Sequence, residues 1–309
     1  MNTPDIRTQL DTIQKRLHIT QTKLATMCGV SFAALNAWKN GRALPRPKKR
    51  ARIEELYGEV TGRSNVAPEI LAQTKKELTE KQERHANIVA EILARQDLFD
   101  TFALALTYHT NRIEGSTLSE RETAAVLFDD ISLPDKTLTE QLEARNHLVA
   151  LEKVFERCSA KRAIDEDFIL SLHGILMNGI LPDAGTYRTH PVRIVGTRVT
   201  TTNPLKVAEE MGVLSEIISK DTDDIVAHAT RAHAAFEKIH PFSDGNGRVG
   251  RLILTGMLLA ANFPPAIITQ ERKLLYYTYL EKAQTSGEHG NLELFITEAI
   301  EKGFALLEE

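Results

Sequence analysis

The most informative stretch of this 309-residue chain is HPFSDGNGRVGR, running from His240 to Arg251. Gly245 and Gly247 suit a tight loop that enters a helix N-terminus. Such a loop aims backbone N–H groups at an anion, and the helix dipole favours negative charge there. Arg248 and Arg251 are three apart, so they share a helix face and can grip one polyphosphate. Asp244 adds a carboxylate of the kind that holds Mg²⁺ beside phosphates. His240, at the rim of the loop, can take a proton from an incoming hydroxyl near neutral pH. A lone histidine, an arginine pair or a Gly-Asn-Gly turn is usually only structural. The full string is far more specific.

The flanking sequence states how these groups must be held. DDIVAHATRAHAAFEKI, from Asp223, has an acidic start and apolar residues at helical spacing, and Pro241 ends that helix just after His240. LILTGMLLAANF, from Leu252, is apolar nearly all round and reads as a buried central helix. Three segments follow from the wider pattern: a head at 1–63, a polar connecting helix at 64–96, and a helical domain at 97–309. Within the last, PDAGTYRTHPVRIVGTRVTTTNP, at 182–204, is dense in β-branched residues and turn formers and is expected to form a short β-hairpin. His228, His233 and His240 lack an HExxH spacing, which argues against metal-assisted hydrolysis.

HPFSDGNGRVGR resembles the signature of the Fic family, His-Pro-Phe-x-(Asp/Glu)-Gly-Asn-Gly-Arg-x-x-Arg, at every specified position. The resemblance extends over roughly residues 97–300, through the expected hairpin and YYTYLEKAQ. It implies an all-α fold: a Fic-type helical core with a short β-hairpin flap, here joined to a small N-terminal helix-turn-helix bundle. It also implies an enzyme that moves AMP from ATP to a Ser, Thr or Tyr hydroxyl of a target protein. On that resemblance His240 is the general base and Asp244 holds Mg²⁺ against the α- and β-phosphates. Asn246 and the Gly245 and Gly247 backbone make the anion hole. Arg248 and Arg251 bind the outer phosphates, and Val249 and Gly250 complete the nucleotide-binding stretch. Val192, Arg193, Ile194 and Val195 form the flap that aligns a target segment as an added strand. Tyr276, Tyr277 and Gln284 border the nucleotide, although an aromatic helix stripe can equally be core. The related Doc toxins transfer phosphate and carry a lysine in this loop, so Gly247 and Arg248 favour AMP transfer.

Thr110-x-x-x-Glu114-Gly115 resembles the inhibitory motif of the same family, in which a glutamate pairs with the second signature arginine, here Arg251. One guanidinium cannot serve a carboxylate and a γ-phosphate with full bidentate geometry. Glu114 is therefore expected to be a regulatory brake. In some relatives this glutamate also supports removal of AMP.

The head contains QTKLATMCGVSFAALNAWKNGRALPRP, which resembles the helix-turn-helix of Cro/repressor-like regulators. Gly29-Val30 would make the turn, and Ser31 to Lys39 the recognition helix. Arg42, Arg46, Lys48, Lys49, Arg50 and Arg52 would meet phosphates, whereas only Asn36 and Lys39 suit base edges. DNA is thus one candidate partner of residues 1–63, and a protein-docking module is the other.

Bulk composition agrees with these readings. Residues 1–63 hold 12 Lys and Arg against 5 Asp and Glu, a net +7, while the remainder carries −11. A basic head on an acidic body suits a polyanionic partner. Cys28 and Cys158 share no metal-ligand spacing and suit a reducing compartment. The N-terminus is too polar for a signal peptide and no apolar run approaches a membrane span, so the expected setting is the cytoplasm, without a membrane partner. Helix-turn-helix modules commonly act as dimers, which leaves a homodimer open. Two function classes stand: the AMP-transferase, and a DNA-binding transcriptional regulator that uses the same domain as a nucleotide sensor. A sensor would not need His240.

Overall fold

The computed structural model describes residues 4–17, 19–62, 66–129 and 131–309. The expected boundary between head and connecting segment, at residues 63–64, lies outside them. Four helices build the head: α1 (Ile6–Leu17), α2 (Gln21–Met27), α3 (Phe32–Lys39) and α4 (Pro47–Thr61). The Thr20 hydroxyl caps α2 by accepting from Lys23 N–H, and Ser31 caps α3 by accepting from Ala34 N–H. Pro47 opens α4, where its missing N–H costs nothing. Leu10, Ile13, Leu24, Leu35, Ile53 and Leu56 close a small core of their own.

The chain continues through α5 (Pro68–Gln82), α6 (Ile88–Ala94), α7 (Gln96–Glu114), α8 (Glu120–Phe128) and α9 (Leu138–Ser159). It ends with α10 (Glu166–Leu176), α11 (Val207–Ile218), α12 (Ile225–Ile239), α13 (Asn246–Ala260), α14 (Lys273–Ser286) and α15 (Gly290–Leu307). Reciprocal capping boxes, Ser119 with Glu122 and Thr137 with Glu140, start α8 and α9. Helix α13 is the central element: it is buried from Arg248 to Leu259, and α7, α9, α10 and α12 pack around it. That is the environment its all-round apolar sequence demands. Helix α5 lies along α15, with Leu78 in the same core. No helix among the described residues is long and apolar enough to cross a membrane.

The β-hairpin is a correction. Among the described residues there is no strand, and 182–203 runs as turns, bends and irregular backbone. The β-branched content that suggested strands is real, but no neighbouring strand pairs with this segment, and an isolated hairpin is marginal. Side chains tie the segment down instead. The Thr201 hydroxyl donates to the Val192 carbonyl, and Arg188 donates to the carbonyls of His190 and Thr202. Val192, Arg193, Ile194 and Val195 are therefore an irregular loop, with Val195 94% exposed.

Candidate active site

Helix α12 ends because Pro241 cannot continue it, and His240 turns the chain in the left-handed region at φ 52°. A non-glycine residue held there costs roughly 1–3 kcal/mol and persists only where its surroundings enforce it. The enforcement comes from Arg188, 2% exposed, which donates through Nε to the His240 carbonyl at 2.7 Å and through Nη2 to the Ile239 carbonyl at 3.2 Å. His240 Nδ1 lies 3.1 Å from the Glu237 carbonyl, leaving Nε2 as the proton acceptor. Burial lowers the His240 pKa, against the opposing pull of that carbonyl, so the ring is held towards its neutral form.

The loop after His240 is locked from within. Phe242 N–H donates to Asn246 Oδ1 at 2.8 Å, and Asn246 Nδ2 donates back to the Phe242 carbonyl at 2.9 Å. Phe242 stacks on His173 with ring centroids 3.7 Å apart. His173 accepts from Gly185 N–H at Nδ1, so Nε2 carries the proton and donates to the Asp244 carbonyl at 3.1 Å. Gly245, at φ 79°, starts α13, and a Cβ there would lie 2.8 Å from Met177 Sδ. No side chain caps α13, so its first N–H groups stay available to an anion.

The two signature arginines leave the same face and then diverge. Arg248, 2% exposed, donates to Glu143 Oε1 on α9 at 2.7 Å, with Nη2 3.8 Å from Asp244 Oδ2. Arg251 turns to α7, where Thr110 Oγ1 accepts from Nε at 2.7 Å and the Glu114 carboxylate accepts from Nη2. Burial alone would raise the Glu114 pKa, but the charge and hydrogen bond of Arg251 outweigh it and hold it below the usual range. A Cβ on Gly247 would collide with Glu114 Oε1. The carboxylate thus lies directly against the N-terminus of α13.

His240, Asp244, Gly247 and Glu114 border one cavity of about 740 Å³, whereas Asn246, Arg248 and Arg251 lie behind its lining. Val192, Arg193, Ile194 and Val195 line its outer side, and Tyr277 and Gln284 line the α14 side. Tyr276 does not: it is fully buried and its hydroxyl meets His233 Nε2 at 2.7 Å. Val249 and Gly250 also face inward, and the Gly250 carbonyl accepts from His233 Nδ1. Glu237 was not singled out from sequence. It lines the cavity, its Oε1 has no hydrogen-bond partner among the described residues, and burial above all pushes its carboxyl up to about 8. Arg188, His173 and Glu143 were missed too, and nothing local in the sequence marks them.

Comparison with known proteins bears on this geometry. Residues 163–258 match the Fic/DOC family model. They form a Fic domain. Residues 14–63 match a helix-turn-helix model. Outside the matched Fic segment, α7 brings Thr110 and Glu114 to the domain's signature arginine. A protein adenylyltransferase Fic from Nematostella vectensis is 30% identical over 224 residues, covering 71% of this chain and 51% of the relative. Protein adenylyltransferase fic-1 from Caenorhabditis elegans is 33% identical over 210 residues, covering 65% of this chain and 40% of the relative. The chain therefore spans about half or less of these curated relatives. The solved structure of Fic-1 from C. elegans superposes with a TM-score of 0.67 at 21% identity, covering 100% of this chain and 89% of that one. A Fic-domain protein from Bacteroides thetaiotaomicron gives 0.66 at 22% identity, covering 76% and 98%. At these identities the structures speak to the fold of the Fic domain and its surroundings.

Proposed function

We propose that the chain transfers AMP from ATP to a Ser, Thr or Tyr hydroxyl of a target protein, and that Glu114 restrains this activity. One observation carries the reading: a carboxylate sits on Arg251 at the uncapped N-terminus of α13, in the cavity that His240 faces. An anion site with a proton acceptor beside it suits attack by a hydroxyl on a bound phosphate. The names of the curated relatives support the same activity.

In this reading the α-phosphate rests on the first N–H groups of α13. His240 Nε2 takes the hydroxyl proton as the hydroxyl oxygen bonds to the α-phosphorus. The bond to the β-phosphate breaks and diphosphate leaves. Arg251, freed from Glu114, meets the γ-phosphate, while Arg248 steadies Asp244 and adds positive charge. Asn246 acts mainly by bracing the loop through Phe242. The residues fit Mg²⁺ carried by the nucleotide: Asp244 is a single exposed carboxylate, and the described residues hold no cluster of three metal-ligating side chains. Mg²⁺ held there would neutralise phosphate charge.

The head supports nucleic-acid binding through phosphates rather than base edges. Arg42, Arg46 and Lys48 are exposed. Lys39 is paired with Asp11 at 2.9 Å, and Asn36 Oδ1 accepts from Gln21 and Asn40. The deciding experiment incubates a cell lysate with the wild-type chain or a Glu114→Gly variant, using ATP labelled at either the α- or the γ-phosphate. Label passing only from the α-position supports AMP transfer. Label from the γ-position alone means phosphoryl transfer, and none from either leaves a nucleotide sensor.

A further inference from the structure

Helix α14 is a shared wall between the Fic domain and the head. On one side Tyr277 and Gln284 border the active-site cavity. On the other, Leu275 packs against both hydrophobic cores. The C-terminal ends of α1 and α4 abut this second side. Gly62 makes the approach feasible, since a Cβ there would lie 3.2 Å from Thr278 Cγ2. Arg16, near the end of α1, donates through Nη1 to Thr278 Oγ1 at 3.1 Å and to the Val60 carbonyl at 3.3 Å. The Thr278 hydroxyl donates to the Leu274 carbonyl at 2.7 Å, so its lone pairs are free to accept from Arg16. Arg16 and Thr278 line the same cavity as His240 and Glu114.

We propose that Arg16 is a ligand-binding residue of the active-site cavity, supplied by the head to the nucleoside end of the bound nucleotide. The proposal rests on the AMP-transfer reading and adds a residue from another domain to it. Phosphates are drawn to the N-terminus of α13, beside Gly247 and Asp244. Tyr277, Thr278 and Arg16 line the same cavity, which gives the base and ribose a wall to meet there. Base and ribose carry no net charge but many hydrogen-bond acceptors. A guanidinium suits them, because it donates in a plane to ring nitrogens or stacks on a purine face.

Most exposed arginines are simply solvated, and two features set Arg16 apart. Both of its hydrogen bonds use Nη1, and Arg16 has no carboxylate partner among the described residues. The carboxylate on the same stretch of wall, Glu281, is taken by Arg198 at 3.1 Å. The guanidinium is therefore anchored at one nitrogen, with the others left for a ligand. Nucleotide binding and head docking then become linked: whatever grips or displaces the head must alter nucleotide affinity, and the nucleotide must alter head docking equally.

The test is calorimetric titration of the full chain, as wild type, Arg16→Ala and Arg16→Lys. The probes are a non-hydrolysable ATP analogue and inorganic triphosphate, which lacks a nucleoside. Arg16→Ala should weaken the analogue by roughly tenfold, the size of about one charge-assisted hydrogen bond, and leave triphosphate unchanged. Arg16→Lys keeps the charge and the docked head but not the planar fork, and should also weaken the analogue selectively. Unchanged affinity for the analogue in both variants overturns the proposal. Equal weakening of both probes overturns it too, since that points to long-range charge or a loosened head. In either case wild-type binding leaves the AMP-transfer reading intact. A wild-type chain that binds neither probe removes both.

Discussion

Glu114 meets Arg251 at the N-terminus of α13, where the helix itself would draw an anion, and Arg251 Nη1 has no hydrogen-bond partner among the described residues. That nitrogen lies beside Gly247.

Glu114→Gly should activate AMP transfer and Arg251→Ala should not, although both break the same pair. A coupling of ~1–3 kcal/mol between carboxylate and nucleotide pose gives about 5–150-fold activation. Initial rates of AMP incorporation, with thermal melts as a folding control, decide it. Matching losses of rate and melting temperature would reduce the pair to a structural contact.

Thr110 takes the Nε of the same guanidinium one helical turn before Glu114, at 4% exposure. Thr110→Val removes that acceptor and keeps the shape. The inhibited state should lose about 1–3 kcal/mol by leaving a buried donor unpaired. Activation of the same order as that of Glu114→Gly, or less, follows. An unchanged rate would mean that Thr110 does not hold Arg251 in the inhibited pose.

His240→Ala should lower transfer by roughly 10²–10⁴-fold, the usual range for a positioned proton acceptor, while ATP affinity stays near wild type. The imidazole acts on the hydroxyl and not on the phosphates. Measuring both quantities on one preparation is enough, and transfer at the wild-type rate would remove His240 from the mechanism.

Glu237 supplies a pH signature in stability. Burial first, with the like charge of Glu114 behind it, raises its carboxyl from 4.5 to about 8, and Arg251 opposes this only partly. Below pH 4.5 the carboxyl is protonated whether the chain is folded or not. Between 4.5 and 8 the unfolded chain gives up its proton and the folded one keeps it, so this contribution to stability is lost as pH rises. Glu237→Gln should gain melting temperature relative to wild type across that window. A constant difference from pH 4.5 to 8 would place the titration elsewhere.

If the head grips a phosphate backbone, log affinity for DNA should fall with log salt by about 0.9 per phosphate contact. Replacing Arg42, Arg46 and Lys48 with alanine should flatten that slope, with little dependence on base sequence. Mobility shifts of the full chain over a salt series would show it, and absence of binding at low salt would favour a protein partner.

The site loop was legible in the sequence because its signals are local. Proline after His240, glycines at 245 and 247 and an all-apolar helix beyond them act within a few residues, and the structure holds a helix end, a loop and a buried helix there. The recognition helix of the head was legible through its resemblance to a helix-turn-helix, and the structure holds a helix at Phe32–Lys39, capped by Ser31. The hairpin at 182–204 was misread because strands need partners, and local β-propensity does not provide one. Only tertiary structure decided the rest. Arg188 holds His240 from 52 residues away, Glu143 holds Arg248 from 105, and Arg16 reaches Thr278 from 262. Helical spacing put Arg248 and Arg251 on one face but could not say that α9 and α7 would take one each. Nor could it separate Tyr276, turned into the core, from Tyr277 on the cavity wall. Backbone conformation responds to adjacent residues, whereas the partner of a buried charge is set by which helices pack around it.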